Sequence, residues 1–370
     1  MIPEKRSEGD IRVLVVDDSR AKQEYLTSLL EGNEGVRVVG CASDGREALR
    51  LSESLAPDLI TLDLEMPKID GFAFLRLLMV RRPCPVLVIS GFSARDNVFR
   101  ALELGALDFI AIADDALSNA VESRRLTQEV QEKLSMVRRL RQVGLRPGRA
   151  ANGEPFPTRV RPSALPILDT PRCVVVVAAS TGGPQTIQRF LASLAAPRPY
   201  AVLIAQHMPA NFTATFAARL DGLWGFRVFE AGDGMQVRTG AIYIAPGGKH
   251  MQLVKQDGRD ALFLKIVAPK RGDGSVAIPS ADVLFQSAAD ALGRKVLGVV
   301  LTGMGNDATE GARAIRRAGG RVVAEDPASA IMPGMPRQVV EAGLTQETAA
   351  ADDLHGFVRE FVEGQDGGIR

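Results

Sequence analysis

Residues 173–184 read CVVVVAASTGGP, a seven-residue apolar run that gives way to Ser180, Thr181 and two glycines. An apolar run of this length without alternation is the pattern of a strand covered on both faces, as strands are in a parallel sheet. A helix pattern, GPQTIQRFLASL, follows at once. The Ser180 turn is therefore expected at the carboxyl end of its strand, where open α/β sheets bind their ligands. Two chemistries compete for such a turn. A Gly-rich turn into a helix can cradle a phosphate on its backbone N–H groups, and a hydroxyl at a strand end can be a nucleophile held up for attack. The stretch has neither the Lys-Ser/Thr ending of a P-loop nor the spacing of a dinucleotide fingerprint, so the phosphate reading is the less specified of the two.

The buried-strand pattern recurs beyond it in YAVLIAQH, AIYIAP, KVLGVVLTG and GRVVAE, with helix patterns such as NFTATFAARL, SADVLFQSAADAL and DATEGARAIRRAG between most of them. The N-terminal part alternates in the same way. IRVLVVDD, VRVVGCA, DLITLDLEMP, PVLVIS and LDFIAIA read as five strands separated by helical segments. This alternation predicts two doubly wound α/β domains, each a parallel sheet covered on both faces, and 370 residues suffice for two. Between them Leu126, Val130, Leu134 and Val137 recur at helical spacing, and then GLRPGRAANGEPFPTRVRPSALPILDTP, rich in Gly, Pro and Arg, shows no period. The expected organisation is a first domain over 10–125, a helical and then extended linker over 126–171, and a second domain over 172–365.

The 45 basic and 44 acidic residues nearly cancel, so no global field draws the chain to nucleic acid or a membrane surface. Nothing after residue 172 reads as a short helical DNA-binding module. No apolar run approaches the roughly 20 residues of a membrane span. The N-terminus, MIPEKRSEGDIRVLVVDD, lacks the apolar core and cleavage site of a signal peptide. Cys41, Cys84 and Cys173 fit neither a disulfide framework nor metal-ligand spacing. Buried, reduced thiols in a cytoplasmic protein are the expectation.

In the first domain Asp17 and Asp18 end one strand, Asp63 another and Ser90 a third. A doubly wound sheet gathers these ends, and three crowded carboxylates repel unless a cation such as Mg²⁺ sits among them. One carboxylate of such a set could attack phosphorus and form an acyl phosphate, with Ser90 hydrogen-bonding a phosphoryl oxygen. Over residues 10–120 the stretches VLVVDDSR, PDLITLDLEMPKIDG and ALELGALDFI resemble the flavodoxin-like receiver domain of response regulators. The resemblance implies that Asp63 accepts a phosphoryl group from a histidine kinase. It also implies that Asp17, Asp18 and Asp63 hold Mg²⁺ with the backbone carbonyl of Glu65. One departure stands out. The family places Lys-Pro just after the fifth strand, where this chain has Ile112 and Ala113. Isoleucine offers neither the charge nor the donor that touches the phosphoryl group, which leaves Lys68 and Arg95 as candidate substitutes and puts the phosphorylation switch in doubt.

In the second domain the nucleophile reading needs a base and an orienting acid at other strand ends. His207 ends the strand after Ser180, and Asp307 lies in the Gly-rich loop VVLTGMGNDATEGA. Ser180 Oγ could attack a carbonyl, His207 take its proton and Asp307 hold the imidazole. The duller alternatives are a rim histidine and, for Asp307, a cap on the helix it precedes. His250 and His355 are the only other histidines.

Taken in order, ASTGGP, QHMP, YIAPGGKHM, LTGMGNDA and GMPRQ resemble the catalytic domain of the chemotaxis protein-glutamate methylesterases, the CheB family, over residues 172–345. A receiver joined by a linker is that family's architecture. The resemblance implies Ser180 as nucleophile, His207 as base, Asp307 as orienting acid and oxyanion donors from the backbone near Thr181 and Met304. The implied reaction is hydrolysis of glutamyl γ-methyl esters on methyl-accepting chemoreceptors, and deamidation of receptor glutamines, with no cofactor for the esterase. A chemotaxis histidine kinase is the implied phosphodonor, and an unphosphorylated receiver is expected to deny the receptor access to Ser180. Two departures, Val276-Ala277-Ile278 before Pro279 and Met332-Pro333 in PASAIMPGMP, miss the triad but bear on receptor choice. The rival readings are a receiver-linked docking module without turnover and a nucleotide- or phosphate-binding protein using the ASTGGP loop.

Overall fold

The computed structural model describes residues 10–66, 70–91, 95–112, 119–142, 170–194, 199–256, 261–269, 277–345 and 347–366. The chain forms two compact units, Met1–Phe156 and Pro157–Arg370. Most of the expected linker, residues 143–169, lies outside the described residues.

The first unit is a five-stranded sheet in the order β2-β1-β3-β4-β5, all parallel, with β1 Ile11–Val16, β2 Val36–Ala42, β3 Leu59–Asp63, β4 Val86–Gly91 and β5 Asp108–Ile112. The strand order reverses between β1 and β3, which puts the ligand crevice at their carboxyl ends. Helix α1 (Arg20–Glu31) starts just beyond β1, with the Ser19 hydroxyl capping the Lys22 N–H. The last helix of the unit, Ala120–Gln142, runs through residue 125 without a break. It is held to the sheet by a buried ion pair, Lys133 Nζ to Asp108 Oδ2 at 2.7 Å. Cys84 and Cys173 are buried, but Cys41 is exposed, contrary to expectation. It lies on β2, the edge strand of the sheet, with Sγ 3.9 Å from Thr27 Oγ1 of α1.

The second unit holds a seven-stranded parallel sheet, β14-β13-β12-β6-β7-β9-β8. Its strands are β6 Cys173–Ala179, β7 Tyr200–Gln206, β8 Arg227–Glu230, β9 Ala241–Ile244, β12 Val296–Val300, β13 Arg321–Glu325 and β14 Thr348–Ala349. All seven residues of β6 are buried because neighbours flank it on both edges and helices cover both faces, which explains the unbroken apolar run. The crevice falls between β6 and β12, where the order reverses. Helices α6 (Gly183–Ser193), α7 (Phe212–Leu220) and α9 (Thr309–Arg317) follow the loops that bear Ser180, His207 and Asp307, and α8 (Ala281–Leu292) precedes β12. An antiparallel hairpin, β10 (His250–Lys255) with β11 (Leu262–Val267), was not evident from the sequence pattern. Met251, Leu253, Leu262 and Leu264 of the hairpin join one core cluster with Leu284, Phe285 and Ala288 of α8. Among the described residues no helix is long and apolar enough to cross a membrane.

Candidate functional site

Ser180 follows β6, His207 follows β7 and Asp307 lies in the loop after β12. Adjacent parallel strands bring the three together. His207 Nδ1 is 3.0 Å from Ser180 Oγ, and His207 Nε2 is 2.7 Å from Asp307 Oδ2. A carboxylate only accepts, so Nε2 carries the proton and Nδ1 is left to accept from the Ser180 hydroxyl. The imidazole therefore presents Nδ1 to the hydroxyl and Nε2 to the acid, the reverse of the better-known Ser-His-Asp arrangement.

Asp307 does cap a helix, but not the one it precedes. The N-cap of α9 is Ala308, with no side-chain cap bond. Asp307 instead sits at the N-terminus of α8: Oδ2 accepts from Ala281 N at 2.7 Å, and Oδ1 from Asp282 N and Ser280 Oγ at 3.0 Å each. Free N–H groups at a helix start are a natural anion site. Burial works against the charge, but the bonds from His207, Ala281 and Asp282 overcome it and hold the carboxyl down at about 2. His250, buried at the start of β10, accepts from Ser280 N through Nδ1 at 3.1 Å, so this histidine holds the segment that binds Asp307. The Pro-Ser-x-Asp segment was visible in the sequence, but not its partner 27 residues away.

The Ser180 loop is braced from both neighbouring strands. Gln206 Nε2 donates to Ser180 O and His207 O, each at 2.9 Å. Ser180 N donates to Thr302 O, while Thr302 Oγ1 donates to Thr181 O, both at 3.0 Å. Gly303 must be glycine for space: a Cβ there would lie 2.8 Å from Ser180 Cβ and collide with Met335 Sδ. Gly182 caps α6 at φ 75°, a conformation that glycine adopts without strain. The N–H groups of Thr181 and Met304 donate to no protein acceptor among the described residues. Met332 enters through its backbone, since its N–H donates to Thr302 Oγ1 at 2.8 Å and its carbonyl accepts from Gly303 N at 2.9 Å. A changed side chain at 332 leaves those bonds in place.

Glu325, the last residue of β13, was not singled out by the sequence. It is 1% exposed and accepts from Thr302 N at 2.8 Å. Burial pushes its carboxyl up to about 7, against the opposing pull of the Thr302 N–H and the Arg189 charge. A raised acid binds its proton more tightly when folded. Stability is therefore full below the ordinary value near 4.5 and falls as pH rises toward 7, by about 3 kcal/mol in all. Glu325→Gln removes that slope, and the variant is expected to gain stability over wild type between pH 5 and pH 8 by about 2–3 kcal/mol. Denaturant melts of the second unit at both pH values check it, and parallel profiles would overturn it.

In the first unit, carboxylate oxygens of Asp17, Asp18 and Asp63 lie within 4.8 Å of one another. Asp17 Oδ2 is buried without a hydrogen-bond partner, and Oδ1 accepts from Ser19 N at 2.9 Å. Burial, with the neighbouring carboxylates, pushes Asp17 up to about 6 despite the Ser19 N–H. An orphaned buried oxygen beside two other carboxylates is a donor set suited to a hard divalent cation. Glu65 donates its N–H to Asp63 Oδ1 at 3.0 Å. Ser90 is buried beside Asp63's strand, and its hydroxyl donates to Gly91 O at 3.2 Å. Ile112 ends β5, paired with Gly91 of β4. Of the two cations expected to replace the missing lysine, Lys68 lies outside the described residues and Arg95 opens the helix after β4. The ion pair that Asp63 does make is with Lys22, Nζ to Oδ2 at 3.1 Å.

Residues 13–122 match the family described as response regulator receiver domain, and residues 175–358 that described as CheB methylesterase. A protein-glutamate methylesterase/protein-glutamine glutaminase of Myxococcus xanthus is 45% identical over 350 residues, covering 94% of this chain and 96% of its own. One from Anaeromyxobacter dehalogenans is 44% identical over 355 residues, covering 95% and 96%. The crystal structure of the Thermotoga maritima CheB methylesterase catalytic domain is 33% identical, with a TM-score of 0.48, covering 53% of this chain and 99% of that one. With both domain families matched in order and near full-length identity above 40%, the chain belongs to the CheB methylesterase family, with a response regulator receiver domain ahead of its methylesterase domain.

Proposed function

We propose that Ser180, His207 and Asp307 perform the protein-glutamate methylesterase and protein-glutamine glutaminase chemistry of this family on methyl-accepting chemoreceptors, in the cytoplasm. The observation that carries the reading is the unbroken hydrogen-bond chain Ser180 Oγ–His207–Asp307 at three neighbouring strand ends. Ser180 Oγ attacks the glutamyl ester carbonyl as His207 Nδ1 takes its proton. The imidazolium that forms is stabilised by Asp307, whose charge the α8 N-terminus maintains. In this reading the N–H groups of Thr181 and Met304, which have no protein acceptor among the described residues, receive the tetrahedral oxyanion. His207 returns the proton to the departing methoxide, and methanol leaves. Water, deprotonated by the same nitrogen, then cleaves the acyl-enzyme to free glutamate. With a glutamine substrate, ammonia leaves in place of methanol.

The receiver supplies control. Asp63 accepts a phosphoryl group from a chemotaxis histidine kinase, and Ser90 turns its hydroxyl to a phosphoryl oxygen. Asp17, Asp18, Asp63 and the Glu65 backbone carbonyl would hold Mg²⁺, which when bound neutralises charge building on the phosphoryl oxygens. A few kcal/mol between a state in which the receiver denies the receptor access to Ser180 and one in which it does not is enough for a large change in active population.

The test follows methanol release from methylated receptor membranes by the full chain, with and without acetyl phosphate and Mg²⁺. Wild type is expected to release methanol, and the donor to raise the rate only in proteins that retain Asp63, so Asp63→Ala shows no rise. A wild type that binds its own cell's receptors and releases nothing would move the docking-module reading ahead.

A further inference from the structure

Ile112 removes the one cation the receiver pattern places near the phosphoacceptor, yet the site is not left without one. Lys22 sits in the first turn of α1, four residues after Asp18, which lies in the turn from β1. Its Nζ lies 3.1 Å from Asp63 Oδ2. The Asp63 side chain is 10% exposed and that of Lys22 57% exposed, so the lysine reaches in from the solvent side over the oxygen that an incoming phosphodonor would meet. Asp63 Oδ1 is occupied separately by the Glu65 N–H. Nor does Lys22 use the buried oxygen that lacks a partner, Asp17 Oδ2. The lysine therefore leaves Asp17 Oδ2 open to a divalent cation. We propose that Lys22 is the phosphoryl-contacting cation of this receiver, taking from α1 the place that Ile112 vacates at the end of β5.

This deepens the reading of Asp63 as phosphoacceptor and rests on it. In the transfer, Asp63 Oδ2 forms a bond to phosphorus while the donor's bond to phosphorus breaks, and the bonding pair leaves with the donor. The carboxylate loses its charge to the new acyl linkage, and the negative charge now lies on the phosphoryl oxygens. A lysine that paired with the carboxylate shifts about one bond length outward to pair with those oxygens. It needs no proton transfer, and it stabilises the transferred group in the transition state and in the product. A flexible four-carbon stem on a helix start can make that shift without moving the backbone.

The experiment uses the full chain as wild type, Lys22→Met and the double variant Lys22→Met/Ile112→Lys, with Asp63→Ala as the blank. The rate of acyl-phosphate formation from acetyl phosphate is read on phosphate-affinity gels. Calorimetry gives the affinity for beryllofluoride in Mg²⁺ and, separately, for Mg²⁺ alone. Lys22→Met is expected to slow acyl-phosphate formation and weaken beryllofluoride about 10- to 100-fold, the span of a lost charge-assisted hydrogen bond. Mg²⁺ alone is expected to bind it no more weakly than wild type, because a neighbouring positive charge has gone, and the double variant is expected to recover toward wild type. Equal rates and affinities for Lys22→Met and wild type would overturn the proposal. So would a parallel loss of Mg²⁺ binding, which would mark a structural defect of the site. A wild type that forms no acyl phosphate removes the phosphoacceptor reading itself, and the Lys22 proposal with it.

Discussion

Ser180→Ala is expected to reduce methanol release by about 10⁴- to 10⁶-fold, the range seen when the nucleophile of such a relay is removed. The loss is chemical rather than structural. The Ser180 main chain keeps its bonds, with its N–H on Thr302 O at 3.0 Å and its carbonyl receiving Gly183 N at 2.8 Å and Gln206 Nε2 at 2.9 Å. Only the hydroxyl is lost, and its one protein partner among the described residues is His207 Nδ1, on an imidazole that is partly exposed. The stability should therefore stay within about 0.5 kcal/mol of wild type. Methanol release and a melt on the same preparation check both halves. A dead enzyme with an unchanged melt and retained receptor binding separates turnover from docking. A variant that still turns over at wild-type rate would remove Ser180 from the mechanism.

Asp307→Asn is expected to lower methanol release by about 10⁴-fold, and unlike the serine change it should also cost stability. Asparagine keeps one acceptor oxygen and presents an NH₂ group at the other position. The native carboxylate receives His207 Nε2 and Ala281 N on one oxygen and Ser280 Oγ, Asp282 N and Ala308 N on the other. An NH₂ on either side faces donors. If it faces His207, the imidazole must place its proton on Nδ1 and can no longer accept from Ser180, which is the wrong tautomer for a base. The stability loss has a pH signature. A carboxyl held at about 2 against an ordinary 3.8 contributes about 2 kcal/mol that is fully present above pH 3.8 and lost as pH falls through 2. The gap between wild type and Asp307→Asn melts should therefore be constant from pH 5 to 8 and narrow below about pH 3. A gap that stays open in acid would mean that the carboxylate's charge is not what α8 stabilises.

Much of this site can be read along the chain because its residues sit at strand ends. A buried parallel strand writes itself as a continuous apolar run, and the first polar residue after it marks the carboxyl edge of the sheet. Ser180, Asp17 and Asp63 are of this kind, and His207 follows one residue after the first such residue, Gln206, of its own strand. What the pattern hides is short or paired at a distance. Strands β8 and β14 have four and two residues, too few for a period to show. The β10–β11 hairpin is buried on one face only and is crossed by polar residues, so neither the buried-run nor the helix pattern marks it. Asp307 reads as a cap for the helix that follows it, because the α8 amides that it binds lie about 26 residues earlier.

The pattern along the chain carried the two α/β units and the strand ends with the hydroxyl, imidazole and carboxylates, and the receiver resemblance marked Ile112 as standing where a lysine is expected. The tertiary structure alone decided which nitrogen of His207 faces which partner, because that depends on the direction from which the α8 start and the β12 loop deliver Asp307. It alone decided that Glu325 is buried against the Thr302 amide and that Lys22 lies over Asp63. Periodicity records whether a side chain is inside or outside. Hydrogen bonds and ion pairs between residues 23 to 100 positions apart depend on how elements cross in space, and no local run of residues encodes that crossing.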